Sequence, residues 1–480
     1  MEGDQVQQNN LNWWSKLKDI EKILNLWKRR NLTLLGKITI IKSLIVPKIF
    51  YSLCFLDPPK NFINECESTF YKFIWGKEDS IKRKTIIANI REGGLNMIDI
   101  ESQVIANRAT WMHKILNSSG NWTFFGKTYI DKFGPNRIIL RGNLCNQKFL
   151  PEIRNLPQFY QDVILSYNRA RPIENITDMQ SFLGQALWGN MNFLYDASKS
   201  GQKPALFFHR WIESGLIYLG SFRFKNGTLD EDFIFEKVKN KSNIYCEILC
   251  VKKALKPFED IIKNIHTCGI AQYVPNREET TLGTLKCRSV YEKIKKQKII
   301  RPFQEQKWKQ VLDQYEINFD KTYLHKIKYI HDKKLSEFNF KVLHLILPCG
   351  LNQKRWGHKT DETCDICKVT HDIIHMLFYC AKAKQIWSVI SQVFNLNISL
   401  KDIIITDFER DMCIFISLIS FLIYKEWLLF SNDKSWKVHD IIGYIKWELR
   451  LKSQVYEKLE NNCENVCHYS HMFINHNAIT

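Results

Sequence analysis

A mainly α, multi-domain helical architecture with few short strands is the fold class this sequence predicts. Three observations lead there. Apolar residues recur every three or four positions through the first hundred residues and again after Trp387, the period of a helix with one buried face. Residues Pro47, Pro58-Pro59 and Gly93-Gly94 punctuate the first of these regions where helices should stop. The chain has 480 residues, more than one hydrophobic core normally serves, and 45% of them are hydrophobic, enough for several.

The elements follow in order. Ile20, Ile23, Leu24 and Trp27 fall on one helical face, as do Leu34, Ile38, Ile41 and Ile45. Phe62, Cys66, Phe70 and Phe73 repeat the pattern after the proline pair, and a further helix is expected from about Ser102 to Leu116. Between 120 and 275 periodicity weakens, so short helices and a few strands are expected, for example around Ile217 to Phe224. A polar linker, NREETTLG, occupies 276–283. Helices around Trp308 and from Phe338 to Leu347 precede a cysteine-rich stretch. The most apolar run, Met412 to Tyr424, is shorter than the ~20 residues a membrane span needs, so it reads as a buried helix. The expected divisions are 1–120, 121–275, 284–390 and 391–480.

The cysteine-rich stretch, CDICKVTHDIIHMLFYC, places Cys364, Cys367, His375 and Cys380 at the spacing Cys-x2-Cys-x7-His-x4-Cys. Two cysteines two residues apart can close a turn with both thiolates aimed at one ion. A His and a Cys further on complete a tetrahedron, the geometry of a closed structural Zn²⁺ site. Four protein ligands leave no position for water, so the expected cofactor is structural zinc in a small knuckle. His371 is a rival to His375 as the nitrogen ligand. The N-terminus MEGDQVQQNN has neither a basic start nor an apolar core, so an intracellular setting with reduced thiols is expected, in nucleus or cytoplasm.

The formal charge of +19 favours polyanionic partners through counterion release. From Lys28 to Lys48 there are six basic residues and no acidic one. Lys28, Arg29, Arg30, Lys37 and Lys42 could line a phosphate backbone, with Gly36 permitting close approach; a solvated helix face explains the same composition. A second basic run, Lys293, Lys295, Lys296, Lys298 and Arg301, invites the same two readings. Trp356 is a candidate for stacking on an unpaired base. Consecutive acids in Leu229-Asp230-Glu231-Asp232-Phe233 read as a solvated loop, and Cys246 with Cys250 as core thiols. No G-x4-G-K-[ST] phosphate loop occurs.

The runs LNLWKRRNLTLLGKITIIKSLIVPKIFYSL, INECESTFYKFIWGK and EGGLNMID resemble the segment that follows the reverse-transcriptase core in LINE-type (non-LTR) retrotransposon polyproteins. The stretch from Phe340 to Trp387 resembles the reverse-transcriptase zinc-binding domain of the same family, with Trp356, Cys364, Cys367, His375, Cys380 and Trp387 matching position by position. This resemblance implies a helical thumb-like region over 1–120, a zinc-binding domain over 284–390, and RNA or an RNA–DNA hybrid as partner. It also implies association with a reverse-transcriptase core supplied elsewhere. The family's catalytic aspartate pair has no counterpart, because the chain contains no Asp-Asp dipeptide. Tyr218-Leu219-Gly220 echoes a polymerase motif but lies downstream of the thumb-like segment, and reads as packing. No clustered acidic set of a two-metal nuclease is seen. The expectation is a non-catalytic, nucleic-acid-binding chain with no membrane span; an inert relic or interaction scaffold, with zinc serving only folding, is the alternative.

Overall fold

The structure is a computed structural model in which residues 10–76, 78–117, 120–121, 123–131, 155–170, 176–195, 206–238, 243–265, 286–405, 410–430, 438–458 and 464–475 are described. The expected linker at 276–283 lies outside them. The described chain is mainly helical, with one two-stranded sheet. It forms two compact units: residues 1–49, 60–99 and 298–480 make the first, and 50–59 with 100–297 the second. The first unit therefore gathers three segments that are distant in sequence.

In the first unit, helices span Ser15–Lys28, Leu34–Ile40 and Phe62–Trp75. Most of the positions the periodicity marks are buried, namely Ile20, Leu24, Leu34, Ile38, Ile41, Ile45, Phe62, Cys66, Phe70 and Phe73, while Ile23 and Trp27 are half-buried. The Thr33 hydroxyl accepts from the Gly36 amide and starts the second helix. That helix passes through a π turn, Ile41–Ile45, closed by the Val46 amide donating to the Ile41 carbonyl, before continuing as Val46–Phe55. Pro47 follows directly; it has no N–H to give Ser43, so the regular ladder cannot continue through it. Among the described residues, Leu34–Phe55 is the one run long and apolar enough to cross a membrane. Its most apolar window is 44% buried in the protein, and Lys37, Lys42 and Lys48 interrupt it.

Later segments complete this unit. Asp332 caps the Lys333–Leu343 helix by accepting from the Lys334 and Leu335 amides at 2.9 and 3.2 Å. From that helix, Glu337 accepts the Leu34 amide at 2.9 Å, a carboxylate at the positive end of the Leu34–Ile40 helix. Buried His344 bonds the Gly93 carbonyl through Nε2 at 2.8 Å. Burial pushes its pKa down to about 4, so the ring is neutral. Gly93 has φ +83°, and a Cβ on Gly94 would come 2.1 Å from the Ala88 carbonyl oxygen, which is why the chain needs two glycines here. Apolar nearly all round, the Arg410–Phe430 helix is buried along most of its length. Phe338 packs on its Phe421 and Tyr424 rings at 5.3 and 5.6 Å. Buried Lys326 donates to Ser417 Oγ on the same helix at 2.9 Å.

In the second unit, the Ile100–Asn117 and Gln158–Ala170 helices share a core of Met112, Ile115, Val163, Ile164 and Tyr167. Arg108 is buried between acids, bonding Asp57 at 2.7 Å and also Asp162. Burial and the neighbouring Asp57 carboxyl push Asp162 up to about 6. Residues 176–265 build a separate aromatic core around Phe182, Trp188, Phe193 and Trp211. Its sheet is a hairpin, β1 (Phe224–Lys225) and β2 (Thr228–Leu229), antiparallel with Phe224 opposite Leu229. Asn226 and Gly227 form the turn at φ 50° and 74°, the pair of positive angles that Asn-Gly supplies most readily.

Three expectations need correction. The strand expected around Ile217 to Phe224 is mostly a bridge at Tyr218 and a 3-10 turn, Leu219–Ser221, with strand geometry only from Phe224. Asp230 is no loop residue: its side chain caps Glu231–Lys237, so the acidic run sits on that helix's first turn, where the dipole favours it. Cys246 is exposed and Cys250 half-buried, so neither is a core thiol; the inner face of their helix is Ile244, Ile248, Val251 and Ala254.

Candidate metal centre

The knuckle is built from a hairpin-like turn and the start of a helix. Thr363 and Thr370 form an isolated antiparallel bridge, the Cys364 amide donates to the Val369 carbonyl at 2.7 Å, and the Lys368 amide to the Cys364 carbonyl at 2.9 Å. Lys368 turns the chain with φ 56°. His375 opens a π turn, His375–Tyr379, whose first amide is capped by Asp372 Oδ1 at 2.6 Å. Cys380 then ends that turn and precedes the Ala381–Phe394 helix. Trp387 Nε1 donates to the Leu377 carbonyl at 2.8 Å and pins this helix to the π turn.

These elements bring Cys364, Cys367, His375 and Cys380 together, with their ligand atoms all within 4.8 Å of one another. The Cys364–Cys380 and Cys367–Cys380 sulfurs are each 4.0 Å apart. A disulfide needs ~2.05 Å, whereas Zn–S bonds of about 2.3 Å at tetrahedral angles put sulfurs roughly 3.8 Å apart. The donor set therefore fits a metal and not a disulfide. His375 Nε2 is buried with no hydrogen-bond partner, the state of a nitrogen that needs an electrophile. Burial lowers the His375 pKa, keeping the ring neutral as a ligand must be. Burial, with Cys364 beside it, pushes Cys380 up to about 12; a cation would reverse that by stabilising the thiolate. The Ala381 amide donates to Cys367 Sγ at 3.3 Å, so a helix N-terminus already faces that sulfur.

His371 has a different role. Its Nδ1 accepts from the Gly350 amide at 3.0 Å and its ring stacks on Trp427 at 4.9 Å. It ties the knuckle to the Gly350–Arg355 and Arg410–Phe430 helices and stands outside the ligand set.

The candidate cations are treated unequally. Lys28, Arg29 and Arg30 are exposed at the end of their helix, and Lys42 is exposed while donating to the Asn96 carbonyl at 3.2 Å. Lys37 is half-buried, donates to the Ile74 carbonyl at 2.7 Å, and burial lowers its pKa. In the second unit Lys293 and Lys296 are exposed, the former donating to the Ala170 carbonyl at 3.0 Å. Lys295 is a correction: its side chain is 1% exposed and paired with Glu292 at 2.7 Å, so it cannot meet a phosphate. Lys298 pairs with Asp99 at 2.8 Å, and Arg301 with Asp320 and Glu305 at 2.7 and 3.0 Å. Trp356 is 42% exposed. Sequence reasoning missed Tyr379, 48% exposed beside a ligand; its adjacency to Cys380 was the available signal.

No family model matches the chain. Over 178 residues, 35% of this chain, it is 23% identical to the Transposon TX1 uncharacterized 149 kDa protein of Xenopus laevis, and the match spans 14% of that protein's length. That relationship supports a transposon-borne origin. The fold and site define a mainly helical chain carrying a Cys3His cluster able to hold a metal ion, and the sequence adds a weak similarity to a transposon protein.

Proposed function

We propose that this chain is part of a LINE-type retrotransposon polyprotein, an accessory region that binds RNA or an RNA–DNA hybrid and holds structural zinc without catalysing a reaction itself. The convergence of four ligand atoms within 4.8 Å carries the reading. The similarity to a transposon protein and the charge of +19 support it. Zinc would be held by Cys364, Cys367, His375 and Cys380 and would supply folding order. The exposed Lys28, Arg29, Arg30 and Lys42 would track phosphates, and a reverse-transcriptase core would be supplied elsewhere.

Binding of single-stranded RNA and an RNA–DNA hybrid, measured against salt, tests the reading. The log–log slope should be about 0.7–0.9 per phosphate neutralised. Replacing Lys28, Arg29, Arg30 and Lys42 by glutamine should reduce affinity and slope with the fold intact. Absence of binding at low salt would sink the proposal, and primer extension with Mg²⁺ would sink its non-catalytic part. One observation favours a scaffold role instead: Lys295, Lys298 and Arg301 are all engaged by acids of the chain itself. Glutamine variants with unchanged fold and unchanged binding would support that second reading.

A further inference from the structure

Two adjacent residues on the Arg410–Phe430 helix, Glu426 and Trp427, reach both ends of the stretch that carries the ligands His375 and Cys380. Successive residues of a helix point ~100° apart around its axis, so neighbours can address two different runs of chain. The Trp427 ring stacks on His371 at 4.9 Å with the planes 24° apart. His371 in turn meets the ring of His375 edge-on at 5.8 Å. Lys359 Nζ also lies 5.6 Å from the centre of the Trp427 ring. Glu426, with its side chain 6% exposed, pairs with Lys382 Nζ at 3.6 Å. Lys382 follows Cys380 by two positions, at the start of the Ala381–Phe394 helix.

The position of His371 belongs to the folded turn. Its amide donates to the Glu362 carbonyl at 2.7 Å, and its own carbonyl accepts the Leu351 amide at 3.0 Å. A Cβ on Gly350 would come 3.0 Å from His371 Cβ, so the backbones are already in close approach there. The other half of the long helix is anchored away from the knuckle, where Ser417 accepts from Lys326 at 2.9 Å. Glu426 and Trp427 therefore depend on partners that only the ordered turn supplies. If the turn opens, a nearly buried carboxylate loses its charge partner and an aromatic face loses its cover, and both are costly. Coupling of this kind is reciprocal: what favours the ordered turn favours this end of the helix by the same free energy.

We propose that Glu426 and Trp427 are positioning residues for the metal: acting through Lys382 and His371, they set the affinity of the Cys3His site for zinc, and bound zinc in return orders the end of the Arg410–Phe430 helix. This rests on the zinc reading above and adds to it two residues that donate no ligand atom. They lie 46 or more positions beyond Cys380 in sequence, on a different helix. The knuckle is then part of the first unit's packing and not an independent bead on the chain.

The test uses the full chain and zinc alone, with affinity read by competition against a chromogenic chelator. Trp427→Ala should weaken zinc binding about ten-fold. Glu426→Gln should weaken it by less, because a neutral amide can still accept from Lys382. Trp427→Phe, which keeps a ring against His371, should restore most of the affinity. Ser417→Ala loosens the same helix at its Lys326 bond and should leave zinc affinity unchanged. Removing zinc from the unaltered protein should strip hydrogen-exchange protection from 422–428 and spare 412–418. Unchanged affinity in both Trp427→Ala and Glu426→Gln overturns the coupling and leaves the zinc reading standing. An equal loss in Ser417→Ala, or protection kept over 422–428 without zinc, overturns it in the same way. No zinc uptake by the unaltered protein overturns both.

Discussion

The metal knuckle and the aromatic core of residues 176–265 are small, ordered regions held by opposite means. The aromatic core buries Phe182, Trp188, Phe193 and Trp211 to zero exposure and closes its polar atoms internally. Trp188 Nε1 donates to the Leu216 carbonyl, and Trp211 Nε1 to Glu247, which also pairs with Arg210. The knuckle turn instead leaves Ile366 and Val369 outside and buries sulfur and nitrogen. With so little apolar area inside the turn, coordination is what would hold it in the proposed reading. One region is stable because water is excluded from rings; the other, on that reading, would depend on a bound ion.

That contrast can be broken most severely by removing the ion. Apparent zinc-binding energies in small modules reach about 10–16 kcal/mol, so chelation or Cys380→Ser should unfold the turn. Hydrogen exchange should then show protection lost over 363–380 and kept over 206–238. Equal loss in both would erase the distinction. In the aromatic core, Trp211→Ala should cost about 3–5 kcal/mol of unfolding free energy, read from denaturant melts, while zinc content stays unchanged.

Lys326 offers a finer probe of burial in the first unit. Burial lowers its pKa from 10.5 to about 8. Below that value the lysine is charged in both states and the folded state carries the penalty. Between pH 8 and 10.5 the unfolded state binds more protons, so stability should rise with pH, on the order of 3 kcal/mol. Lys326→Met should remove this rise, read as the difference between the two pH profiles. His371→Phe should retain zinc and cost about 1–3 kcal/mol, because the buried Gly350 amide loses its acceptor; loss of zinc would make His371 a ligand after all. Thr33→Ala, which removes one cap, should cost about 1 kcal/mol and leave both regions intact.

These differences explain what could be read from the residues alone. Metal ligation is local: four donors within 17 positions of chain carry their own geometry, so spacing announces them. Helical faces are local too, and Ile20, Leu34 and Phe70 were visible by period. Cations are another matter. Glu292, three positions before Lys295, is a helical partner that spacing could name, but the burial of that lysine is not visible in its neighbours, and nothing near Arg301 names Asp320. Asp230 looked like part of an acidic loop because a cap is recognised only once the following helix is. Least legible was the assembly of the first unit from three separated stretches, because its links, such as His344 to Gly93 and Arg91 to Asp320, join residues more than two hundred positions apart.

The bond from the Leu34 amide to Glu337 spans 303 positions of sequence. At roughly 5–20 residues per second, a ribosome needs about 15–60 s to deliver Glu337 after Leu34 has emerged. Throughout that interval the most membrane-like run among the described residues is without its capping carboxylate or its later packing partners. Its three lysines keep charge within the apolar run during that interval, and charge inside an exposed apolar stretch opposes aggregation.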